Sequence, residues 1–194
     1  RAHAPPGAAR RAHATGALAV RRFDAVLFDA GNTLVYLDHA RVAELAGGGL
    51  TESDVWQGER AARQDADQAA RSGVKHASLW HRYMHVTLQV AGLPEAALER
   101  AIARLRDEHL RRNLWRRVPE DAADTLTRLL RAGYTLGVVS NAEGTVEALL
   151  CDVGLAPYFR FVIDSHVVGV EKPDPRIFEL ALARAGSAPS RTLF

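Results

Sequence analysis

The C-terminal half of the chain alternates between strand-like and helix-like segments that are joined by short connections. Its helical segments repeat apolar residues every three or four positions, and its strand segments are short apolar runs. Parallel strands need crossover connections of this kind, and helices usually supply them. The alternation therefore predicts an α/β fold with a parallel sheet that is covered on both faces. The helical segments are residues 119–133, 144–154 and 174–186, and the strand segments are residues 134–140, 159–165 and 192–194.

A further strand is predicted at residues 23–28, far from this alternation in the sequence. The block between this strand and the alternating C-terminal half is rich in Ala, Leu, Arg and Glu. Glycines interrupt it, and it has no strand pattern. The simplest topology places the early strand in the same sheet and inserts the block, residues 37–117, as an α-helical cap. The predicted core is then discontinuous and comprises residues 23–36 and 118–194. The predicted cap helices cover residues 39–46, 52–73, 77–92 and 94–115.

Both ends of the chain are unusual. Residues 1–22 contain five arginines and no acidic residue. We interpret them as a disordered tail or as sequence outside the folded unit, because Pro5, Pro6 and Gly7 interrupt any amphipathic helix. A leader such as a transit peptide is the alternative interpretation. At the other end the chain stops where a strand begins, so we expect the C-terminal part of the core to be missing.

Charge and composition exclude several functional classes. The formal net charge is only +2, because acids nearly balance the arginines, so we expect no nucleic-acid partner. No apolar run approaches about 18 residues, so we expect no membrane span. Cys151 is the single cysteine, which excludes an internal disulfide and is typical of a reducing compartment, so we expect a cytoplasmic protein. The oligomeric state cannot be read from the sequence.

Three polar signals fall at or after predicted strand ends, where open parallel sheets bind ligands. Asp29 ends the first strand, and Ser140 and Asn141 end the second. Lys172 lies in the loop after the third. A carboxylate can attack phosphorus, a hydroxyl can hold a phosphoryl oxygen, and a lysine can offset the charge that develops. Each residue alone also has an ordinary structural interpretation, as a helix cap, a loop or the entry to the helix at residues 174–186.

In this order, the segments FDAGNTL, VVSN and GVEKPDPRIF resemble motifs one to three of the haloacid dehalogenase-like (HAD) hydrolase superfamily. The resemblance extends from residue 23 to the end of the chain and implies a Rossmann-like core with a type-one helical cap. It implies that Asp29 is the nucleophile and a Mg²⁺ ligand, and that Lys172 steadies the nucleophile and the transferring group. Ser140 is implied to bind the phosphoryl group, with Asn141 beside it.

The rest of the first motif departs in part from the family pattern. Phosphatases of the family carry a second aspartate two residues after the nucleophile, which protonates the leaving oxygen and then activates water, and this position is Gly31. The resemblance still implies a Mg²⁺ ligand there, the Gly31 backbone carbonyl. Asn32 stands where the family usually has glycine, and asparagine tolerates positive φ. Thr33 and Leu34 match the motif, which implies a substrate-binding position for Thr33.

The fourth motif of the family, a VGD strand end with a nearby acid, does not occur in the chain. Asp29 is then the only motif acid, and we expect weak Mg²⁺ affinity. The resemblance implies a HAD-like hydrolase, and we expect a Mg²⁺-dependent phosphatase that acts on a small phosphorylated metabolite through an aspartyl-phosphate. One alternative is a metal-independent dehalogenase-type hydrolase, since a leaving halide needs no protonation. The other is a non-catalytic or regulatory protein with this fold.

Three tryptophans, Trp56, Trp80 and Trp115, fall in the predicted cap. We expect them to pack the cap or its contact with the core, and a place in the substrate pocket is the alternative for one of them. The cap itself is expected to open and close over the site and to select the substrate.

Overall fold

The computed structural model describes residues 21–72 and 79–194. The predicted tail, residues 1–22, lies almost entirely outside these described residues. Within the described ranges, no helix is both long and apolar enough to span a bilayer. In chain order, the strands and α-helices are β1 (Ala25–Phe28), β2 (Tyr36–Leu37), α1 (His39–Ala46), α2 (Glu52–Arg71), α3 (Leu79–Val90), α4 (Glu95–Arg111), β3 (Trp115–Arg117), α5 (Ala122–Arg131), β4 (Thr135–Ser140), α6 (Val146–Asp152), β5 (Phe161–Asp164), α7 (Ser165–Val168), α8 (Pro175–Ala185) and β6 (Thr192–Leu193).

Four strands form a parallel sheet in the order β5-β4-β1-β6. The chain leaves the sheet after β1, forms the helical block and returns to the position beside β1 as β4. Ala25 pairs with Thr135 and Phe28 pairs with Val138, so β1 and β4 end side by side. This parallel sheet with its inserted helices confirms the predicted fold class. It also brings the residues that follow β1 and β4 to one edge of the sheet.

Helices cover both faces of the sheet. The side chains of β4, which point alternately to the two faces, are therefore almost all buried. Val138 packs on one face in a cluster with Leu126 of α5 and Leu150 of α6. Val139, whose side chain points the opposite way, packs with Ile177 of α8. The apolar run that predicted this strand is therefore the run expected of a strand buried on both faces.

Helices α1 to α4 form the inserted block around a separate apolar core, which includes Val42, Met84 and Leu105. Within it, α2 and α3 approach closely at Gly58. A Cβ atom at this position would lie 2.0 Å from the backbone oxygen of Thr87, so only glycine fits without a backbone shift. The block has its own core, as expected for a cap, while the exact division of the chain into core and cap residues stays a prediction.

The helix predicted over residues 94–115 is wrong at its C-terminal end. The helix stops earlier, and its last predicted residue begins β3, which pairs antiparallel with β2. Two local hydrogen bonds favour this ending over a longer helix. The Leu114 N–H donates to His109 Nδ1 at 3.2 Å. The Trp115 N–H donates to Asn113 Oδ1 at 2.9 Å. The β2–β3 pair lies where the chain enters and leaves the helical block.

The strand predicted over residues 159–165 is shorter in the structure, because Ser165 begins the short helix α7. Asp164 ends the strand, and its buried carboxylate accepts the N–H groups of His166 and Gly144, both at 3.0 Å. Asp164 thus caps α7 and holds the loop that follows β4.

Candidate active site

Asp29 follows directly after β1, at the carboxyl edge of the sheet. Its side chain is 41% exposed and lies 2.9 Å, through Oδ2, from the Nζ atom of Lys172. Its other carboxylate oxygen, Oδ1, accepts the Ala30 N–H at 2.7 Å. These two charge-assisted contacts orient the carboxylate, while its exposure leaves it accessible to a ligand.

Lys172 is positioned by contacts with the end of β4. Its backbone N–H donates to Asn141 Oδ1 at 2.7 Å, and Asn141 Nδ2 donates to the Lys172 carbonyl oxygen at 2.9 Å. The Nζ atom also donates to the backbone oxygen of Val139 at 3.0 Å. These bonds join the motif that contains Asn141 to the motif that contains Lys172, and they hold the Lys172 ammonium group next to Asp29.

The chain turns back after Asp29 through a tight turn, in which the Ala30 carbonyl oxygen accepts the Leu34 N–H at 2.9 Å. Asn32 has a φ of 60°, which confirms that this position requires a residue that tolerates positive φ. Gly31 is different, because its φ lies outside the left-handed region and a Cβ atom there would meet no heavy atom within 4 Å.

Ser140 ends β4, one strand away from Asp29, and it is buried. It lines the same cavity as Asp29, Gly31, Asn141 and Lys172. Thr33 is the exception among the site residues that were predicted from the sequence, because it is exposed and does not line this cavity. The structure therefore brings together every nominated residue except Thr33, whose substrate-binding role stays a prediction.

The cavity has a volume of about 340 Å³ and lies between the carboxyl edge of the sheet and the helical block. Its wall opposite the sheet includes four aromatic rings, those of Trp80, Tyr83, His109 and Trp115, and Asp67 of α2 also lines the cavity. Trp80 and Trp115 also pack against the apolar core of the helical block, as expected, while contact of one of them with the substrate stays a prediction. Trp56 is 46% exposed and lies outside this wall.

His109 belongs to this wall and was missed by sequence reasoning, because no motif marks it. Its Nδ1 atom accepts the Leu114 N–H, so the neutral ring carries its proton on Nε2. Burial lowers the pKa of His109 to about 4, against the attraction of Glu143 and with a smaller contribution from Arg106. The ring is therefore neutral at neutral pH.

Glu143, in the loop after β4, was also missed. Arg106 Nη1 of α4 donates to its Oε1 and Oε2 atoms at 3.1 and 2.9 Å, and His109 Nε2 lies 3.8 Å from Oε2. The Arg106 guanidinium lies over the Trp80 ring, 4.9 Å from its centroid. This ion pair joins the helical block to the sheet across one side of the cavity. Its partners are far apart in sequence, so no local pattern could have revealed it.

A buried polar network behind the wall has Glu59 at its centre. The carboxylate accepts from Tyr83 Oη at 2.8 Å and from Arg63 Nη2 at 2.9 Å, and it lies 2.5 Å from His39 Nε2. Burial raises the pKa of Glu59, but these three partners outweigh burial and leave the pKa below its usual range. Burial and the nearby carboxylate raise the pKa of Tyr83, so its hydroxyl stays protonated. The network thereby holds Tyr83 in the cavity wall.

Donors for a divalent cation are few at this edge of the sheet. Among residues 21–72 and 79–194, no group of three or more His, Cys, Asp and Glu side chains is arranged to hold a metal ion. The Asp29 carboxylate and the Gly31 backbone carbonyl remain, and Mg²⁺ sites often use only one or two carboxylates plus phosphate and water. The residues present therefore fit a Mg²⁺ ion that binds together with a phosphorylated ligand.

The model of the haloacid dehalogenase-like hydrolase family matches residues 23–194. The match covers the sheet, the inserted helices and the three motifs around Asp29. The chain therefore belongs to the haloacid dehalogenase-like hydrolases, which confirms the resemblance inferred from its motifs.

Some relatives of this chain have names that state a particular activity, and these include phosphatases and dehalogenases. Haloacid dehalogenase-like hydrolase domain-containing protein 3 of Mus musculus is 36% identical over 118 residues, 61% of this chain and 47% of that protein, so the match spans about half the length of this relative. Glyceraldehyde 3-phosphate phosphatase of Methanothermobacter thermautotrophicus is 30% identical over 171 residues, 87% of this chain and 74% of that protein. The solved L-2-haloacid dehalogenase from Xanthobacter autotrophicus is 26% identical with a TM-score of 0.59, covering 89% of this chain and 69% of that chain.

Proposed function

We propose that the protein is a Mg²⁺-dependent phosphatase that acts on a small phosphorylated metabolite through an aspartyl-phosphate on Asp29. The observation that carries the proposal is the 2.9 Å pair between Lys172 Nζ and Asp29 Oδ2, with buried Ser140 at the neighbouring strand end. The similarity to a glyceraldehyde 3-phosphate phosphatase over most of the chain supports a phosphate ester as the substrate.

The reaction has two displacements. A carboxylate oxygen of Asp29 attacks phosphorus, and the P–O bond to the alcohol breaks, leaving its electron pair on the alcohol oxygen. That oxygen takes a proton from water, since Gly31 has no acid to offer. Water then attacks phosphorus, and the P–O bond to Asp29 breaks with its electron pair returning to the carboxylate. The proton lost by this water neutralises the hydroxide that the first step left, and inorganic phosphate is released. The Lys172 ammonium and the Ser140 hydroxyl stabilise the negative charge of the phosphoryl oxygens.

Asp29 and Gly31 are the residues that would hold Mg²⁺, through a carboxylate oxygen and a backbone carbonyl oxygen. When bound, the cation neutralises charge on the carboxylate and on the phosphoryl group. Because a site with two protein donors leaves most coordination positions of the cation to phosphate and water, we expect Mg²⁺ affinity to increase when phosphate or the ester is present.

Metal-independent dehalogenation through an aspartyl ester is the second candidate. Gly31 favours it, because a halide leaves with its electron pair and needs no general acid. The similarity to the solved L-2-haloacid dehalogenase supports the same alternative. Halide release from 2-haloacids therefore belongs in the same experiment as phosphate release.

A panel of phosphate monoesters and 2-haloacids, assayed with Mg²⁺ and with a chelator, separates the two reactions. We expect Mg²⁺-dependent phosphate release, which Asp29→Asn lowers by at least about 10³-fold because an amide cannot replace the attacking carboxylate. Asp152→Asn, an exposed substitution on α6, is the matched control and should retain the wild-type rates.

Halide release that persists in the presence of the chelator would show that the protein is a metal-independent dehalogenase instead. A protein that releases neither phosphate nor halide would support the non-catalytic or regulatory role. The cytoplasmic location is part of this proposal, since it derives from the single cysteine, and cell fractionation tests it.

A further inference from the structure

His109 offers a hydrogen-bond donor in the cavity wall between two indole rings. Its ring centroid lies 5.6 Å from that of Trp80 and 5.6 Å from that of Trp115. The Leu114 N–H occupies Nδ1, which leaves the proton of the neutral ring on Nε2. The His109 side chain is only 9% exposed, and its burial keeps the ring neutral. His109 therefore acts as a donor in a fixed position.

Glu143 supplies an acceptor on the facing loop. Its Oε2 atom lies 3.8 Å from His109 Nε2, which is too far for a hydrogen bond between them. Arg106 contacts both carboxylate oxygens and fixes their position. The Glu143 side chain remains 27% exposed, so it can still accept from a ligand. A donor and an acceptor thus line one cavity without satisfying each other.

A hydroxyl group is the ligand that completes this pair. A hydroxyl oxygen placed about 2.8 Å from both atoms accepts from Nε2 and donates to Oε2, with an angle of roughly 90° at the oxygen. A carboxylate could accept from His109 but has no proton to donate to Glu143, so it would satisfy only one of the two groups. An ammonium group could donate to Glu143 but has no acceptor for His109. The flat rings of Trp80 and Trp115 suit the apolar C–H surface of a carbon chain or ring.

We propose that His109 and Glu143 form a subsite for a hydroxyl group, and that the substrates are phosphate monoesters of uncharged polyhydroxy alcohols. This inference rests on the proposed phosphatase function, because it places the phosphate of the ester at Asp29. Both groups line the same cavity of about 340 Å³ as Asp29, which is of a size that accommodates a small metabolite. Esters that end in a carboxylate offer no donor to Glu143 and are therefore expected to bind this subsite less well than a hydroxyl group.

Matched esters test this specificity. Glycerol 1-phosphate is compared with n-propyl phosphate, sorbitol 6-phosphate with n-hexyl phosphate, and both polyol esters with phosphoglycolate. The kcat/KM values are measured with wild-type protein, and the Kd values with Asp29→Asn protein by calorimetry, so that binding is seen without turnover. We expect at least one polyol ester to exceed its alkyl partner by about tenfold or more in both measurements.

Single substitutions remove the two groups in turn. His109→Phe removes the donor, and we expect the polyol-to-alkyl ratio to fall by about tenfold. His109→Gln keeps a donor and an acceptor for the Leu114 N–H, so it should restore part of the preference.

Glu143→Gln removes the charge at nearly constant shape, and the polyol-to-phosphoglycolate ratio should fall by about tenfold. Glu147→Gln, exposed on α6, is the control and should leave both ratios unchanged.

The outcomes separate the subsite from the phosphatase proposal. Hydrolysis of polyol and alkyl esters with equal kcat/KM and equal Kd would overturn the subsite and leave the phosphatase function standing. Polyol-selective binding without any hydrolysis would overturn the phosphatase function and leave the subsite standing. A polyol preference that survives His109→Gln, His109→Phe and Glu143→Gln alike would overturn the assignment to these residues.

Discussion

Gly31 occupies a backbone position that does not require glycine. Its φ is outside the left-handed region, and the space where a Cβ atom would stand is open. The sequence alone shows that the usual second carboxyl group of the motif is absent. Only the structure shows that a Cβ atom there would meet no neighbouring heavy atom, next to Asp29 in the cavity wall.

Gly31→Asp should therefore supply a general acid and base without a clash at its Cβ atom. We expect kcat for n-alkyl phosphates to rise by about 10²-fold, since general acid–base help is typically worth about 10²–10⁴-fold. The rate with p-nitrophenyl phosphate should change much less, because its leaving group needs no proton. Gly31→Asn, which has the same size and no acid, is the control in steady-state assays. Equal acceleration by the Asn variant would contradict this explanation.

His109 should make the stability of the protein depend on pH. Its folded pKa of about 4 lies below the usual value of 6.5, so the unfolded chain binds more protons between these values. The stabilisation by neutral His109 is present above pH 6.5 and is lost as the pH falls towards 4. Between pH 7 and pH 5 it should lower the free energy of unfolding by about 2 kcal/mol.

Urea denaturation at both pH values measures this loss. The loss attributable to His109 is the difference between wild type and His109→Gln, which has no titratable group at this position. The same slope in both proteins would show that other groups cause the pH dependence.

At the scale of the elements, Glu59 connects three helices of the inserted block. It lies on α2 and contacts His39 of α1 and Tyr83 of α3, and it is 1% exposed. Glu59→Ala would leave buried His39 without its partner and remove the carboxylate that Tyr83 and Arg63 contact, so we expect a loss of about 3–5 kcal/mol in the free energy of unfolding, measured in urea. Glu44→Ala removes an exposed ion pair and should cost less than about 1 kcal/mol. A similar cost for both variants would argue against the central role of Glu59.

The boundaries of α8 could be predicted because their signals are local. The Asp174 carboxylate accepts the Arg176 N–H at 2.9 Å, Pro175 is the first helical residue, and Gly186 ends the helix with a φ of 64°. The end of α4 could not be predicted in this way. Its helical pattern continues in the sequence. The local hydrogen bonds of Leu114 and Trp115 that end the helix, and the pairing of β3 with β2, become visible only in the structure.

At the scale of the whole molecule, the Arg106–Glu143 ion pair joins the helical block to the sheet. Arg106→Gln should weaken this closure and raise the apparent KM for p-nitrophenyl phosphate about two- to fivefold, as expected for a partly exposed pair. Steady-state kinetics measure KM, and small-angle scattering measures any expansion. Arg100→Gln, exposed on the same helix, is the control. An unchanged KM and radius would show that other contacts hold the block in place.

The sequence by itself determined the sheet with inserted helices and the missing carboxyl group at Gly31. It also determined the placement of Asp29 and Ser140 at strand ends and of Lys172 in the loop after a later strand. These features follow from short-range periodicity and from compact motifs, which one chain displays directly. The tertiary structure alone decided the opposite wall of the cavity. Arg106 and His109 of α4 meet Glu143 of the loop after β4 only in the folded chain. Many helices with the same apolar pattern would turn different polar residues towards this loop.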